Sequence, residues 1–317
     1  MTDMTAIAMG VHVLDVLVRP VEAIPEGQGG ALVDEIRMTA AGSAGGTALI
    51  LAKLGARVRS AGAIGHDPIG DMLCSLLERD GVDTALLLRR DGVQTSSSVL
   101  PIRPDGSRPA FHVVGANGAY GVDDAPWTAI AAATHLHLGG PEFMGGEAAA
   151  AILSRARENG VVTSADILAP GDMGMLEWIA PALEHLDYLL PNDEQVLGFT
   201  QESDLVAACR ALVERGVGCV AATCGADGVV IVDAQSVERV PAFAVDVVDT
   251  TGCGDAFSAG FLRGLSLERD RHGAAVLGCA TAALVAQGLG TDHGEFDLEA
   301  VDAFAAATAT LELEGSR

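Results

Sequence analysis

The sequence has almost no lysine: Lys53 is the only one, and arginine supplies the rest of its 19 basic residues. Set against 43 acidic residues, this leaves a net charge of −24. Such a surplus repels the phosphate surfaces of nucleic acids and anionic membranes, so no nucleic-acid or membrane partner is expected and any phosphate site has to be local. The scarcity of lysine itself reads as composition bias or salt adaptation. No run of eighteen uninterrupted apolar residues occurs, and the first twenty residues lack a basic segment followed by a long apolar one. Neither a membrane span nor export is expected. The six cysteines (Cys74, Cys209, Cys219, Cys224, Cys253, Cys279) form no C-x-x-C pair and no zinc spacing, which points to reduced thiols and a cytoplasmic location. Also missing are G-x-x-x-x-G-K-[ST] and H-R-D, and with them the P-loop and protein-kinase routes to nucleotide phosphates.

What is present is core material. Apolar residues make up 49% of the 317, and 39 glycines fall in short clusters between apolar runs, a pattern of many tight turns around a sizeable core. The length suits one large α/β domain with a small appendage. Strand-like runs at Ala6–Gly10, Arg57–Ile64, His135–Leu138, Val161–Ala165 and Cys219–Thr223 alternate with helical runs at Gly46–Leu54, Ile69–Arg79, Glu147–Asn159, Leu205–Arg215 and Asp255–Leu265. This alternation predicts a mostly parallel sheet flanked by helices on both faces. Two stretches break the rhythm, Val16–Thr39 and Gln94–Val114, the second with a turn at Pro104-Asp105-Gly106. Together they predict a small β-sheet lid. The expected division is 16–39 and 94–114 as lid, with 1–15, 40–93 and 115–317 as the large nucleotide- and substrate-binding domain. The stretch Leu298–Leu313 is helical in pattern and runs into a polar tail.

The segment richest in chemistry is Asp249-Thr250-Thr251-Gly252-Cys253-Gly254-Asp255-Ala256-Phe257, after a β-rich run at Val237–Val248 and at the start of a helix in which Phe257, Phe261 and Leu265 recur every fourth position. A helix start offers unpaired backbone N–H groups and partial positive charge, and Gly252 and Gly254 let an anion come close. Asp255 beside that anion can take a proton from an attacking hydroxyl while the amides hold the charge on a transferring phosphoryl group. Asp255 as a plain helix cap is the competing reading. His135 and His137 share one strand face but have no third metal ligand nearby in sequence.

The string D-T-T-G-C-G-D-A-F resembles the C-terminal signature of the ribokinase-like (PfkB) carbohydrate kinases, usually D-T-T-G-A-G-D-x-F, and the likeness extends over nearly the whole chain. It implies an ATP-dependent kinase with Asp255 as catalytic base and Gly252, Cys253 and Gly254 as the anion turn, Cys253 being a small residue rather than a nucleophile. Gly10-Val11-His12-Val13-Leu14-Asp15 resembles the family's first-strand element, which makes Asp15 a binder of acceptor hydroxyls. Ala41-Gly42-Ser43-Ala44-Gly45-Gly46-Thr47-Ala48 with Lys53-Leu54-Gly55-Ala56 is similar to the N-terminal signature, with Gly46 where relatives often have Asn. Gly42, Ser43, Gly46 and Asn117 join Asp15 as substrate-binding candidates. Gly62-Ala63-Ile64-Gly65-His66-Asp67-Pro68-Ile69-Gly70 resembles an architectural family segment. Asn192-Asp193-Glu194-Gln195 resembles N-x-x-E with Gln195 in place of Glu, assigning Asn192 to ATP and Glu194 to Mg2+. Thr223-Cys224-Gly225-Ala226-Asp227-Gly228 resembles the T-x-G-x-x-G turn and assigns Thr223, Gly225, Asp227 and Gly228 to ATP. Asp249 and Thr251, with carbonyls of the Gly288–Gly294 loop, stand where relatives often bind a monovalent cation such as K+. Family likeness also implies a homodimer through the lid. A sugar or sugar-like acceptor is the first expectation; a nucleoside kinase on the same scaffold, or a ligand-binding regulator without turnover, are the alternatives.

Overall fold

The computed structural model describes residues 4–104, 107–169, 171 and 175–313. Residues 105 and 106 of the expected Pro104-Asp105-Gly106 turn, and the last four of the polar tail, lie outside them. Thirteen strands follow one another: β1 Thr5–Gly10, β2 Val13–Arg19, β3 Glu35–Ala41, β4 Arg57–Gly65, β5 Asp83–Arg90, β6 Ser97–Pro101, β7 Phe111–Val113, β8 His135–Gly139, β9 Val162–Asp166, β10 Tyr188–Leu189, β11 Cys219–Thr223, β12 Val229–Asp233 and β13 Val237–Val240. Nine form one sheet in the order β13-β12-β11-β10-β9-β8-β1-β4-β5, parallel from β5 to β11 and antiparallel at β12 and β13.

The interior strands are buried on both faces, which is why they read as continuous apolar runs. Along β1, Ala6 and Ala8 face one core while Ile7 and Met9 face the other. The first core packs under helices Ser43–Lys53, Pro68–Arg79, Cys253–Ser266 and Arg271–Ala286, the second under Gly146–Glu158 and Leu205–Glu214. Helix Cys253–Ser266 is set firmly on its neighbour. Phe257 and Phe261 stack at 5.8 Å, Tyr188 meets Phe261 edge-on, and Gly264 lies so close to the next helix that a β-carbon there would be 2.6 Å from Ala274 Cα.

From β1 the chain first builds outward through β4 to β5, then returns to β8 on the other side and builds toward β13. The strand order therefore reverses between β1 and β8, where the ends Gly10 and Gly139 are register partners. The crevice outside the carboxyl ends of strands at such a reversal is where open α/β sheets hold ligands.

The remaining strands form a separate small sheet, β3-β2-β6-β7. Its register places Asp15, Thr39 and Ser98 on one face with His112, and Val16, Met38, Val99 and Phe111 on the other. Sequence reading placed strand character through Val237–Val248, but the strand ends at Val240. Only an isolated bridge from Phe243 to Thr310 follows, because Pro241 offers no N–H to continue the ladder.

Candidate active site

Helix Cys253–Ser266 starts from Gly252, whose φ of 78° is left-handed and whose α-carbon faces Thr291, with a β-carbon at 252 placed 2.6 Å from Thr291 Cβ. Conformation and space both demand glycine here. In this turn Cys253 N donates to Thr250 O and Ala256 N to Gly252 O. The amides of Gly252, Gly254 and Asp255 donate to no acceptor among the described residues. Gly254 is exposed, and a β-carbon there would meet nothing within 4 Å. An anion can therefore approach unpaired N–H groups at the positive end of a fourteen-residue helix.

Around Asp255 the carboxylates crowd. Burial, and then the charges of Asp166 and Asp15, push its pKa well above the ordinary carboxylate range, with Arg108 opposing. Asp166, at the end of β9 and buried, is pushed up to about 7 by burial despite a hydrogen bond from Ser258 Oγ at 3.2 Å. Asp15, also buried, is raised to about 6 by burial against the opposing pull of Ser98 and Arg108. A base with a raised pKa takes a proton more readily near neutral pH than an exposed carboxylate.

Gly46, on helix Ser43–Lys53, lies directly against Asp255: a β-carbon at 46 would be 2.7 Å from Asp255 Cγ. The absent side chain that distinguishes this chain from the Asn pattern is thus the space in which the carboxylate rests. Gly42, with φ 83°, is the N-cap of the same helix, and Ser43 follows at its first position with a buried Oγ that has no partner among the described residues. Asn117 is tied to the chain between β1 and β2: it accepts from His12 N and donates to His12 O, both at 3.1 Å. It thereby steadies the segment that leads into Asp15.

Thr223, Gly225 and Gly228 line a mostly apolar pocket of about 340 Å³ with Phe243, Val245, Phe257, Ala283 and Ala286, and Thr250, Cys253 and Gly254 of the helix-start turn line it too. Asp227 is exposed at the tip of the 223–228 turn. Asn192 forms a bridge to Thr223, so the two motifs meet. The side chain of Asn192 caps helix Asp193–Thr200 in a reciprocal pair with Gln195: Asn192 Oδ1 accepts from Gln195 N at 2.8 Å, and Gln195 Oε1 from Asn192 N at 2.9 Å. Gln195 Nε2 donates to Ile167 O and Ala169 O, each at 2.9 Å. A carboxylate has no proton for either carbonyl, so glutamine is the residue this position needs, and it fixes the segment just after Asp166.

Mg2+ is commonly held by one or two carboxylates together with nucleotide phosphates and water, and exposed Glu194 on the first turn of that helix has the hard-oxygen chemistry for it. The donors around Asp249 are the protein's own. Its Oδ1 accepts from Thr251 N and Oγ1, its Oδ2 from Gly290 N, and the carbonyls of Asp292 and Gly294 accept from Lys53 Nζ at 2.8 and 2.7 Å. Each oxygen of Asp249 thus meets a proton donor within the chain.

Three residues with a part here escaped sequence reading. Asp166 sits one residue beyond a predicted strand, the same signal that marked Asp15. Arg108, in the lid stretch, reaches Thr251 Oγ1 at 2.8 Å, a contact between positions 143 apart that no local pattern discloses. Lys53, set aside as composition, anchors the Gly288–Gly294 loop and sits over the Phe296 ring. Asp67 is architectural as expected, accepting from Gly70 N and from Thr95 N and Oγ1. His137 pairs with Ser164, and no metal-holding group of three His, Cys, Asp or Glu residues occurs among the described residues.

The turn brings unpaired amides together with a carboxylate, and the surrounding architecture is the ribokinase fold. The crystal structure of a putative ribokinase II from E. coli, in complex with ATP and Mg2+, superposes with a TM-score of 0.82 at 21% identity over 96% of this chain and 99% of its own. The chain belongs to the pfkB family of carbohydrate kinases, whose model matches residues 9–296, and it is an ATP-dependent kinase. Among curated relatives it is similar to an ATP-dependent ribose-1-phosphate kinase of Halopiger xanaduensis, 32% identical over 78% of this chain and 80% of that one. It is also similar to a nucleoside kinase of Methanothermobacter thermautotrophicus, 27% identical over 96% of each.

Proposed function

We propose that the protein transfers the γ-phosphoryl group of ATP to a hydroxyl of a sugar or sugar-like acceptor. Asp255 acts as general base and the amides of the 252–255 turn as anion hole. The observation that carries this reading is the meeting, in one turn that lines an apolar pocket, of unpaired amides with a carboxylate whose pKa is raised. The acceptor oxygen bonds to the γ-phosphorus as the bridging P–O bond breaks, its proton passes to Asp255, and ADP leaves. Asp15 accepts hydrogen bonds from neighbouring acceptor hydroxyls, and Gly42 and Ser43 complete the acceptor side. Glu194, with the Asn192 region, would hold Mg2+ together with the phosphates, and the ion would supply charge neutralisation on the nucleotide.

A sugar is favoured over a nucleoside because neither Phe111 nor Tyr120 presents a face to stack a base: Tyr120 is buried, and Phe111 belongs to the outer face of the small sheet. That outer face, with Ile36, Met38, Val99, Phe111 and Val113 exposed, supports a homodimer paired through the lid, which sedimentation would test. No described helix is long and apolar enough to cross a membrane, in keeping with a cytoplasmic enzyme. Acceptor-stimulated ADP release across pentoses, hexoses, their phosphates, sugar acids and nucleosides tests the activity. Release with a sugar is expected, and release with nucleosides alone would replace the sugar reading.

A further inference from the structure

Arg108 is a cation of the lid edge whose nearest carboxylate among the described residues is distant, and it reaches the anion turn. Arg19 pairs with Glu35 at 3.1 Å and Arg37 with Asp292 at 3.1 Å, whereas the ion pair of Arg108 is to Asp249 at 3.9 Å. Its short contact is the neutral hydroxyl of Thr251, directly before the anion turn. Its charge is felt by both Asp15 and Asp255, so it stands at the border between acceptor site and phosphoryl site. The guanidinium is about one-third exposed, and its planar fork matches phosphate or carboxylate oxygens in pairs, a geometry that Thr251 does not use.

An acceptor with an anionic substituent would meet repulsion from Asp15, Asp166, Asp255 and the overall charge of −24, unless a local cation received it. A neutral acceptor needs no such cation. We propose that Arg108 is a specificity-determining residue which receives an anionic substituent, a phosphate or carboxylate, on the molecule whose hydroxyl Asp255 deprotonates. The assignment rests on the kinase reading above and deepens it. The substituent takes no part in bond making; it is held by the lid while a different oxygen attacks ATP.

The test compares ribose, ribose 1-phosphate, ribose 5-phosphate and ribonate as acceptors of the full-length protein and of Arg108→Gln and Arg108→Lys, with KM and kcat resolved. The wild type is expected to favour an anionic acceptor over ribose by at least about 100-fold in kcat/KM, as charge-assisted hydrogen bonds allow. Arg108→Gln should lose most of that preference through the KM of the anionic acceptor, falling on that acceptor by at least about 10-fold more than on ribose, and be partly rescued by Lys. Preference for the phosphates alone, or for ribonate as well, identifies which anion is read. Calorimetry without nucleotide gives a second readout: binding of the favoured anionic acceptor should be lost in Arg108→Gln. Equal use of neutral and anionic acceptors by the wild type, or an equal loss for both in Arg108→Gln, overturns the assignment and leaves the kinase standing. Absence of turnover with every acceptor in the wider panel overturns the kinase reading instead, and calorimetry still decides on Arg108.

Discussion

Gly46 has no side chain, and the carboxylate of Asp255 occupies the place where one would begin. A β-carbon on residue 46 would be 2.7 Å from Asp255 Cγ and 3.0 Å from its Cβ. The carboxylate is the free end of a two-torsion side chain, so it can rotate away while the backbone stays. Gly46→Ala is therefore expected to lower kcat by about 10- to 100-fold, the scale of an ångström-sized displacement of a reacting group. Its melting temperature should be equal or higher, because alanine favours the helix. Full activity in that variant would show that this position of Asp255 is not the working one.

Gln195 supports the segment that follows Asp166. Gln195→Glu keeps the size but removes both protons given to the carbonyls of Ile167 and Ala169. A cost of about 2–3 kcal/mol in denaturant unfolding is expected from buried acceptors left unpaired. Unchanged stability would mean that glutamine is incidental there.

Asp166 gives the pH dependence its sign. Its folded pKa, near 7, lies above the ordinary 3.8, so the folded state holds the proton more tightly. The associated stability is fully present below about pH 4 and is lost as pH rises through 7. Asp166→Asn should melt at least about 2 °C above wild type at pH 8 and show no such gain at pH 4. It should also move the acidic limb of kcat/KM to lower pH, since the charge of Asp166 helps raise the pKa of Asp255. A limb that stays in place would separate the two carboxylates.

The parallel sheet was legible because its strands are apolar on both faces and its helices carry a 3.6-residue period. Cys219–Thr223 and Pro68–Arg79 match their predicted spans within a residue. The helix start at Gly252 and Cys253 was legible because a glycine turn opening an apolar-periodic helix is local in sequence. What sequence could not supply was contact at a distance. The seat of Asp255 is a glycine 209 positions away, the cation beside it comes from the lid, and the amide of Gln195 serves carbonyls on another segment. Val237–Val248 misled in the opposite way: its β-branched residues gave it strand character throughout, but the strand that joins the sheet is Val237–Val240, and beyond it Phe243 makes an isolated bridge.

The most direct measurement is phosphate transfer from ATP, followed as acceptor-dependent ADP formation, in wild type and Asp255→Asn at equal folded concentration. Loss of the base should reduce kcat by about 100-fold or more, the usual general-base contribution, with KM for ATP changed far less. An asparagine variant that turns over at the wild-type rate would contradict the role of Asp255 and, with it, the account of the turn.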